Sequence, residues 1–218
     1  MIKIAAESFR RGEILLIHDD EKRENEVDMV LCARHSTPYK IKQMRKDAGG
    51  LICVALGNEI AKTLGLVFMH EIYASSTYRF LSSLLHPLPY RSTSAFSITV
   101  NHIKTFTGIT DNDRSLTITA LSSVKSKDEF LLNFRSPGHV PLLIEHEGGL
   151  EKRRGHTELA LAIARMAGER PIAVLCEMLG EDGNALDADE ARKYALRKNL
   201  VYIEGKEIAD AFETSTQA

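Results

Sequence analysis

Short apolar runs recur along the chain, and most are bounded by polar or glycine-rich clusters. Residues 13–18, 29–33, 51–56, 142–145, 172–178 and 200–203 are apolar enough and short enough to predict buried strands. Residues 94–100 alternate, with Phe96, Ile98 and Val100 on one face, and predict a strand of the half-buried kind. Between these runs the period lengthens. Thr37-Pro38 opens a helix that runs toward Gly49-Gly50, Asn58 caps a short helix ending at Gly65, and Asp111 to Asp113 cap one through Leu121. The strongest helix follows residue 157. It is rich in Leu and Ala, with Glu158 in its first turn, Arg165 in its last, and Gly168 as its stop. Residues 188–199 and 207–212 predict two more helices, residues 136–141 a turn presenting His139, residues 70–94 a mixed loop, and residues 213–218 a frayed tail.

Strands alternate with helices, yet some strands are joined by short polar loops, which argues for an α+β protein. The expected architecture is one domain over residues 1–218, a mixed β-sheet with helices packed around it as an α/β sandwich. There is no internal repeat or low-complexity linker. The glycine pairs at 49–50 and 148–149 lack the spacing of a dinucleotide-binding turn.

Composition narrows the function. With 218 residues the chain can bury a substantial core, and 44% apolar and 27% charged residues are ordinary for a soluble protein. A net charge of −2 gives no basic face for nucleic acid or a membrane surface. The first residues carry no export signal and no 18-residue apolar stretch exists. The three cysteines, Cys32, Cys53 and Cys176, sit in apolar runs without metal-ligand spacing and read as reduced thiols, so a cytoplasmic location is expected.

Two polar clusters carry candidate chemistry. The first precedes the strong helix: Arg153-Arg154-Gly155-His156-Thr157-Glu158. A helix N-terminus has unpaired N–H groups and partial positive charge, and here two guanidiniums, a bare glycine, a hydroxyl and an imidazole surround it. That set suits a phosphate beside a metal; the plain alternative is a capped helix with solvated arginines. The second cluster, residues 19–28, is a run of charges too long for a hairpin turn. If it is extended, Glu24, Glu26 and Asp28 share one side, and crowded carboxylates are commonly relieved by a divalent cation, magnesium or manganese before zinc. A solvated charged loop is the alternative. Smaller signals are His139 on its Pro-Gly turn, a candidate acid or base, and Glu177 at the end of an apolar strand, paired or catalytic. Thr105 and Thr107 beside Gly108 are either phosphate donors or a turn, and Cys53 reads as a core residue.

In order along the chain, Arg23-Glu24-Asn25-Glu26-Val27-Asp28, Thr107-Gly108, Pro137-Gly138-His139-Val140, Gly155-His156-Thr157-Glu158 and Cys176-Glu177 resemble the motifs of the 3,4-dihydroxy-2-butanone 4-phosphate synthase family. Phe96-Ser-Ile-Thr, Asp47-Ala-Gly-Gly-Leu-Ile-Cys53 and Asp182-Gly-Asn-Ala resemble its archaeal branch, and the likeness spans roughly residues 10 to 205. The resemblance implies conversion of D-ribulose 5-phosphate to L-3,4-dihydroxy-2-butanone 4-phosphate and formate in riboflavin biosynthesis. It also implies Mg²⁺ (or Mn²⁺), two ions per site, and a homodimer whose active sites draw on both subunits. Carried over by position, Glu24 and His156 are the metal ligands. Arg23, Asp28, Arg153 and Thr157 are substrate contacts, with Gly155 among them and Arg154 as the fallback for Arg153. His139 and Glu177 are the acid–base residues, and Asp19, Glu26, Cys53 and Thr107 are further contributors. Two positions depart from the family pattern: Val27 replaces a glycine, which should stiffen the acidic loop, and Arg154 replaces the first glycine before His156. A fused GTP cyclohydrolase II domain, common in bacterial and plant relatives, is not expected. The rival readings are a metal-dependent phosphosugar isomerase or aldolase, separated by formate production, and a sugar-phosphate binder without catalysis, which would not need Glu24, His139, His156 and Glu177 together.

Overall fold

Seven strands make one mixed sheet in the computed structural model, which describes residues 1–89 and 93–216. They are β1 (Leu15–His18), β2 (Val27–Cys32), β3 (Cys53–Leu56), β4 (Phe96–His102), β5 (Phe134–Ile144), β6 (Ile172–Glu177) and β7 (Val201–Glu204). The order across the sheet is β4-β5-β3-β6-β2-β1-β7. Only β1/β7 and β3/β5 pair in parallel; the other neighbours are antiparallel. The expected mixed sheet with helices around it is therefore what forms.

Because side chains alternate across a strand, the central strands feed two separate cores. Leu16, Met29, Leu31, Val54, Val174 and Cys176 point to one face, where Ile41, Ile60, Ile118, Leu121 and Tyr194 from the helices cover them. Leu15, Ile17, Val30, Cys32, Ala55 and Leu175 point to the other, against Ala5, Phe9, Ile208 and the helix His156–Met166. Strands buried on both faces explain why their sequences read as continuous apolar runs.

Several local details differ from the expectations drawn from sequence. The acidic segment is shorter, since Val27 and Asp28 already belong to β2. Residues 136–141 do not form a free turn: they lie within β5, where 136–139 make a wide irregularity between Val140, which pairs with Val100, and Arg135, which pairs with Asn101. Gly138 makes this possible, because a Cβ there would stand 2.0 Å from the carbonyl carbon of Val100. The stretch expected as loop contains helices Met69–Ser75 and Arg79–Ser82, while residues 90–92 lie outside the described residues. Three further helices, Ile2–Arg10, Lys127–Asn133 and the short Gly149–Lys152, were not expected from the sequence. Thr37 caps as expected. The caps at 58 and 111–113 fall one residue earlier, on Gly57 and Thr110, and the strong helix is capped by Gly155. The C-terminal helix runs Gly205–Thr216, well into the tail expected to fray, and residues 217–218 lie outside the described residues.

Candidate active site

The site lies on the face covered by His156–Met166, where that helix begins above the sheet. Asp28 stands second in β2 and Glu177 ends β6, and the two are register partners. On the same face Leu175 pairs with Cys53, and Leu143 of β5 pairs with Phe96 of β4. These side chains floor a cleft whose walls are Arg23, Glu24 and Glu26 from the acidic loop and Arg153, His156 and Thr157 from the helix N-terminus.

Asp19 organises the acidic loop. Its buried carboxylate accepts from the backbone N–H of Glu24 (3.3 Å) and of Glu26 (3.0 Å) and from the Arg23 guanidinium (2.9 Å). Asn25 takes a left-handed backbone, φ +54°, a conformation that asparagine tolerates better than most side chains. Its Oδ1 lies 3.0 Å from Nε2 of buried His18, whose Nδ1 is 2.7 Å from Glu204 Oε2. The loop is thus pinned from β1 and β7, so Glu24, Glu26 and Asp28 reach one cleft through a turn, not through an extended segment.

His156 is where loop and helix meet. Its Nε2 lies 3.2 Å from the Glu26 carbonyl oxygen. A carbonyl only accepts, so that contact puts the ring proton on Nε2 of the neutral ring and turns the Nδ1 lone pair toward Glu24 Oε2, 3.6 Å away. A ring N–H fixed on a backbone carbonyl is the usual support of a metal-binding imidazole. Asp28 Oδ1, buried, has no hydrogen-bond partner and sits 3.7 Å from Nε2. Asp19, Glu24 and His156 bring candidate ligand atoms within 4.8 Å of one another. Without a cation the charges strain against one another. Burial, then its acidic neighbours, raise Asp28 to about 7, although His156 opposes the shift. Burial, then Glu24, also raise Glu26. Burial alone would lower His156, yet Asp28, Glu24 and Asp19 outweigh it and raise the ring to about 9. An orphaned buried oxygen among crowded carboxylates, facing an imidazole with its lone pair turned inward, fits a divalent ion.

Two guanidiniums bring positive charge to the helix N-terminus. Arg153 donates to Glu158 at 2.6 Å, and Glu158 also accepts from the His146 N–H. Gly155 lies beneath both guanidiniums: a Cβ there would be 2.6 Å from Arg153 Nη1 and 2.9 Å from Arg23 Nη2. It caps the helix without a side-chain bond, which leaves the dipole's positive end facing the cleft. Glu177 closes the far end, its Oε2 accepting from the Leu51 N–H at 2.8 Å; Gly50 has no room for a side chain beside it.

Most of the site residues expected from sequence therefore converge: Arg23, Glu24, Asp28, Cys53, Arg153, Gly155, His156, Thr157 and Glu177 meet at the cleft, with Asp19 behind the loop. Cys53 is floor; burial pushes its thiol far up, which removes it as a nucleophile. Arg154, the fallback, turns away to Glu213 at 2.6 Å and borders a different cavity with His18, Lys22 and Arg192. Thr107 and His139 stand out on the β4–β5 side, exposed, and do not line the cleft. His18, Glu204, Glu158 and Asn101 were not expected. Each supports another residue through side-chain hydrogen bonds, a relation with no local sequence signal.

A cleft that sets carboxylates and an imidazole beside two guanidiniums belongs to the enzymes that hold a small anionic substrate beside a cation. Comparison with known proteins makes the class particular. Residues 3–211 match the family model of 3,4-dihydroxy-2-butanone 4-phosphate synthase, and the chain belongs to that family. It is 46% identical to the 3,4-dihydroxy-2-butanone 4-phosphate synthase of Methanothermobacter thermautotrophicus, over 97% of this chain and 96% of that one. It is 36% identical to the riboflavin biosynthesis protein RibBA of Bacillus subtilis, over 95% of this chain and 48% of that longer one. A solved 3,4-dihydroxy-2-butanone 4-phosphate synthase in complex with two magnesium ions superposes with a TM-score of 0.82 at 29% identity, covering 99% of this chain and 97% of that one.

Proposed function

We propose that residues 1–218 form one catalytic domain that converts D-ribulose 5-phosphate to 3,4-dihydroxy-2-butanone 4-phosphate and formate at this cleft, with magnesium as its working ion. The observation that carries the reading is the meeting of Glu24 and His156 under Arg23 and Arg153, with a buried Asp28 oxygen beside them that has no hydrogen bond. Glu24 and His156 would hold the metal, and the relative solved with two magnesium ions supports two per site; manganese, which favours the same oxygen ligands, is the alternative ion. Bound there, the cation supplies Lewis-acid stabilisation of the oxyanion that develops when a proton leaves carbon next to the carbonyl.

The chain's own groups do the rest. Arg153 and the open first turn with Thr157 bind the phosphate, and this remote binding orients the sugar over the carboxylates. Arg23 bridges Asp19 and Glu24, so substrate entry and loop order are linked. Asp28, Glu26 and Glu177 offer proton acceptors on one side of the cleft, and Asp19 acts through the loop that it holds. The apolar floor of Cys53, Leu143 and Leu175 limits water around reactive intermediates.

His139 and Thr107 enter from a second copy of the chain. The β4–β5 surface that bears them is uncovered: Phe106 is 93% exposed and Ile109 51%. Pairing such surfaces buries apolar area and brings the partner's His139 to the open side of the cleft. Formate release from ribulose 5-phosphate, assayed with and without EDTA, is the direct test. Metal-dependent formate is expected, and Glu24→Gln and His156→Ala should each lower it by at least about 100-fold with the far-ultraviolet circular dichroism unchanged. An isomeric sugar phosphate without formate would instead favour the isomerase reading.

A further inference from the structure

We propose that Asn101 fixes His139 as a neutral imidazole with its single proton on Nε2, so that His139 meets the substrate as a hydrogen-bond donor and Asn101 is its positioning residue. The inference rests on the reading of His139 given above, but its geometry stands independently. The backbone N–H of His139 can only donate, so the Asn101 amide atom 2.8 Å from it is the oxygen. The other amide atom is then the NH₂ group, and it lies 3.1 Å from Nδ1 of the His139 ring. An NH₂ group has only protons to offer, so Nδ1 must answer with its lone pair. The ring proton is left on Nε2, directed outward.

The amide is not free to turn over. Asn101 is 3% exposed. Gly108, at φ +95°, covers it so closely that a Cβ would stand 2.0 Å from Nδ2. Gly108 is itself tied down, its N–H donating to Asp113 Oδ2 at 2.8 Å. On the other side Gly138 rests on the β4 backbone and donates to Thr99 Oγ1 at 3.0 Å, which fixes where residue 139 begins. Rotating the amide by half a turn would set its NH₂ group against the His139 N–H and unmake that bond. The Thr107-Gly108 loop, Asn101 and the His139 bulge form one clamped unit.

The consequence is chemical. A ring whose Nδ1 lone pair is engaged has no basic site for taking a carbon-bound proton. What it presents is Nε2–H, suited to an oxygen that gains negative charge as the substrate ionises, a use of neutral imidazole with precedent in proton transfer beside a carbonyl. Proton removal then belongs to a carboxylate of the cleft.

Long-range ¹H–¹⁵N correlation spectra of the full-length labelled protein test this, with His139 assigned as the ring missing in His139→Gln. The expected wild-type pattern is unprotonated Nδ1 and protonated Nε2. Asn101→Asp keeps an acceptor for the backbone but sets a carboxylate against Nδ1, so the proton should move there. Asn101→Ala should show tautomer averaging and lower kcat by at least about 10-fold, with KM changed less than about twofold. A wild-type ring protonated on Nδ1 would overturn the proposal, as would an Asn101→Asp ring that keeps the wild-type pattern. The wild-type and Asn101→Asp spectra decide this even if Asn101→Ala does not fold. Full turnover by His139→Ala, which keeps no donor at that place, beside the expected wild-type pattern overturns the donor role and the reading of His139, while leaving the tautomer intact.

Discussion

At the scale of single residues, Gly155 shows how a small change should separate binding from folding. Its missing side chain gives Arg23 and Arg153 the space to approach the helix N-terminus from two directions. Gly155→Ala should displace both guanidiniums by tenths of an ångström while the backbone, at φ −94°, accepts alanine without strain. We expect KM for ribulose 5-phosphate to rise about 10-fold, the scale of one weakened charged contact, with the thermal midpoint moved by only a few degrees. Steady-state kinetics and a melting curve on the same preparation check both halves. His18 makes a complementary case. Removing its ring frees Asn25 from the Glu204–His18 support. His18→Ala should therefore weaken magnesium affinity about 10-fold, measured by calorimetry, as loss of a supporting contact usually does. Neither His18 nor Glu204 announced itself in sequence, since a single histidine at a strand end is ordinary in proteins that bind no metal.

Among the elements, His156–Met166 joins core and site. Residues 156 to 164 are all buried, so the helix is apolar on every side except at its first turn, where it meets the cleft. Such a helix is held by packing, not by propensity alone. Leu161→Ala should cost about 2–5 kcal/mol in urea denaturation, yet turnover per folded molecule should stay within about twofold, because His156 and Thr157 keep their own contacts. This helix and the central strands were readable from sequence, since uniform apolarity and strand-length runs survive any arrangement. Ile2–Arg10 was not, although Ile2, Ala5 and Phe9 stand at helical spacing; a short helix at the chain start needs the sheet to give it meaning. The β5 irregularity was also hidden. Pro137-Gly138 reads locally as a turn, and only the close approach of Val100 shows that Gly138 sits inside a sheet.

The whole molecule decides how the site is completed. If each cleft takes His139 from its partner, chains carrying Glu24→Gln and chains carrying His139→Ala are each inactive alone. Mixed and reassembled in equal amounts, they should regain about one quarter of wild-type formate production: half of the dimers are mixed, and one of their two sites is intact. No recovery from a sample shown by mass spectrometry to contain mixed dimers would place both residues in the same chain's site.

Sequence alone determined the kinds of element, the apolar surfaces to be buried and the chemical types on offer, because these depend on periods of two to four residues and on side-chain chemistry. It also carried the ordered motifs that resemble one family, and the match over residues 3–211 agrees. Tertiary structure alone decided which groups meet. The imidazole of His156 reaches the carbonyl of Glu26 across 130 residues because β2, β3 and β6 pair in one register beneath the helix. Arg153 faces the cleft and its neighbour Arg154 does not. Closing so long a loop costs little more entropy than closing a short one, so separation along the chain carries almost no information about proximity in space.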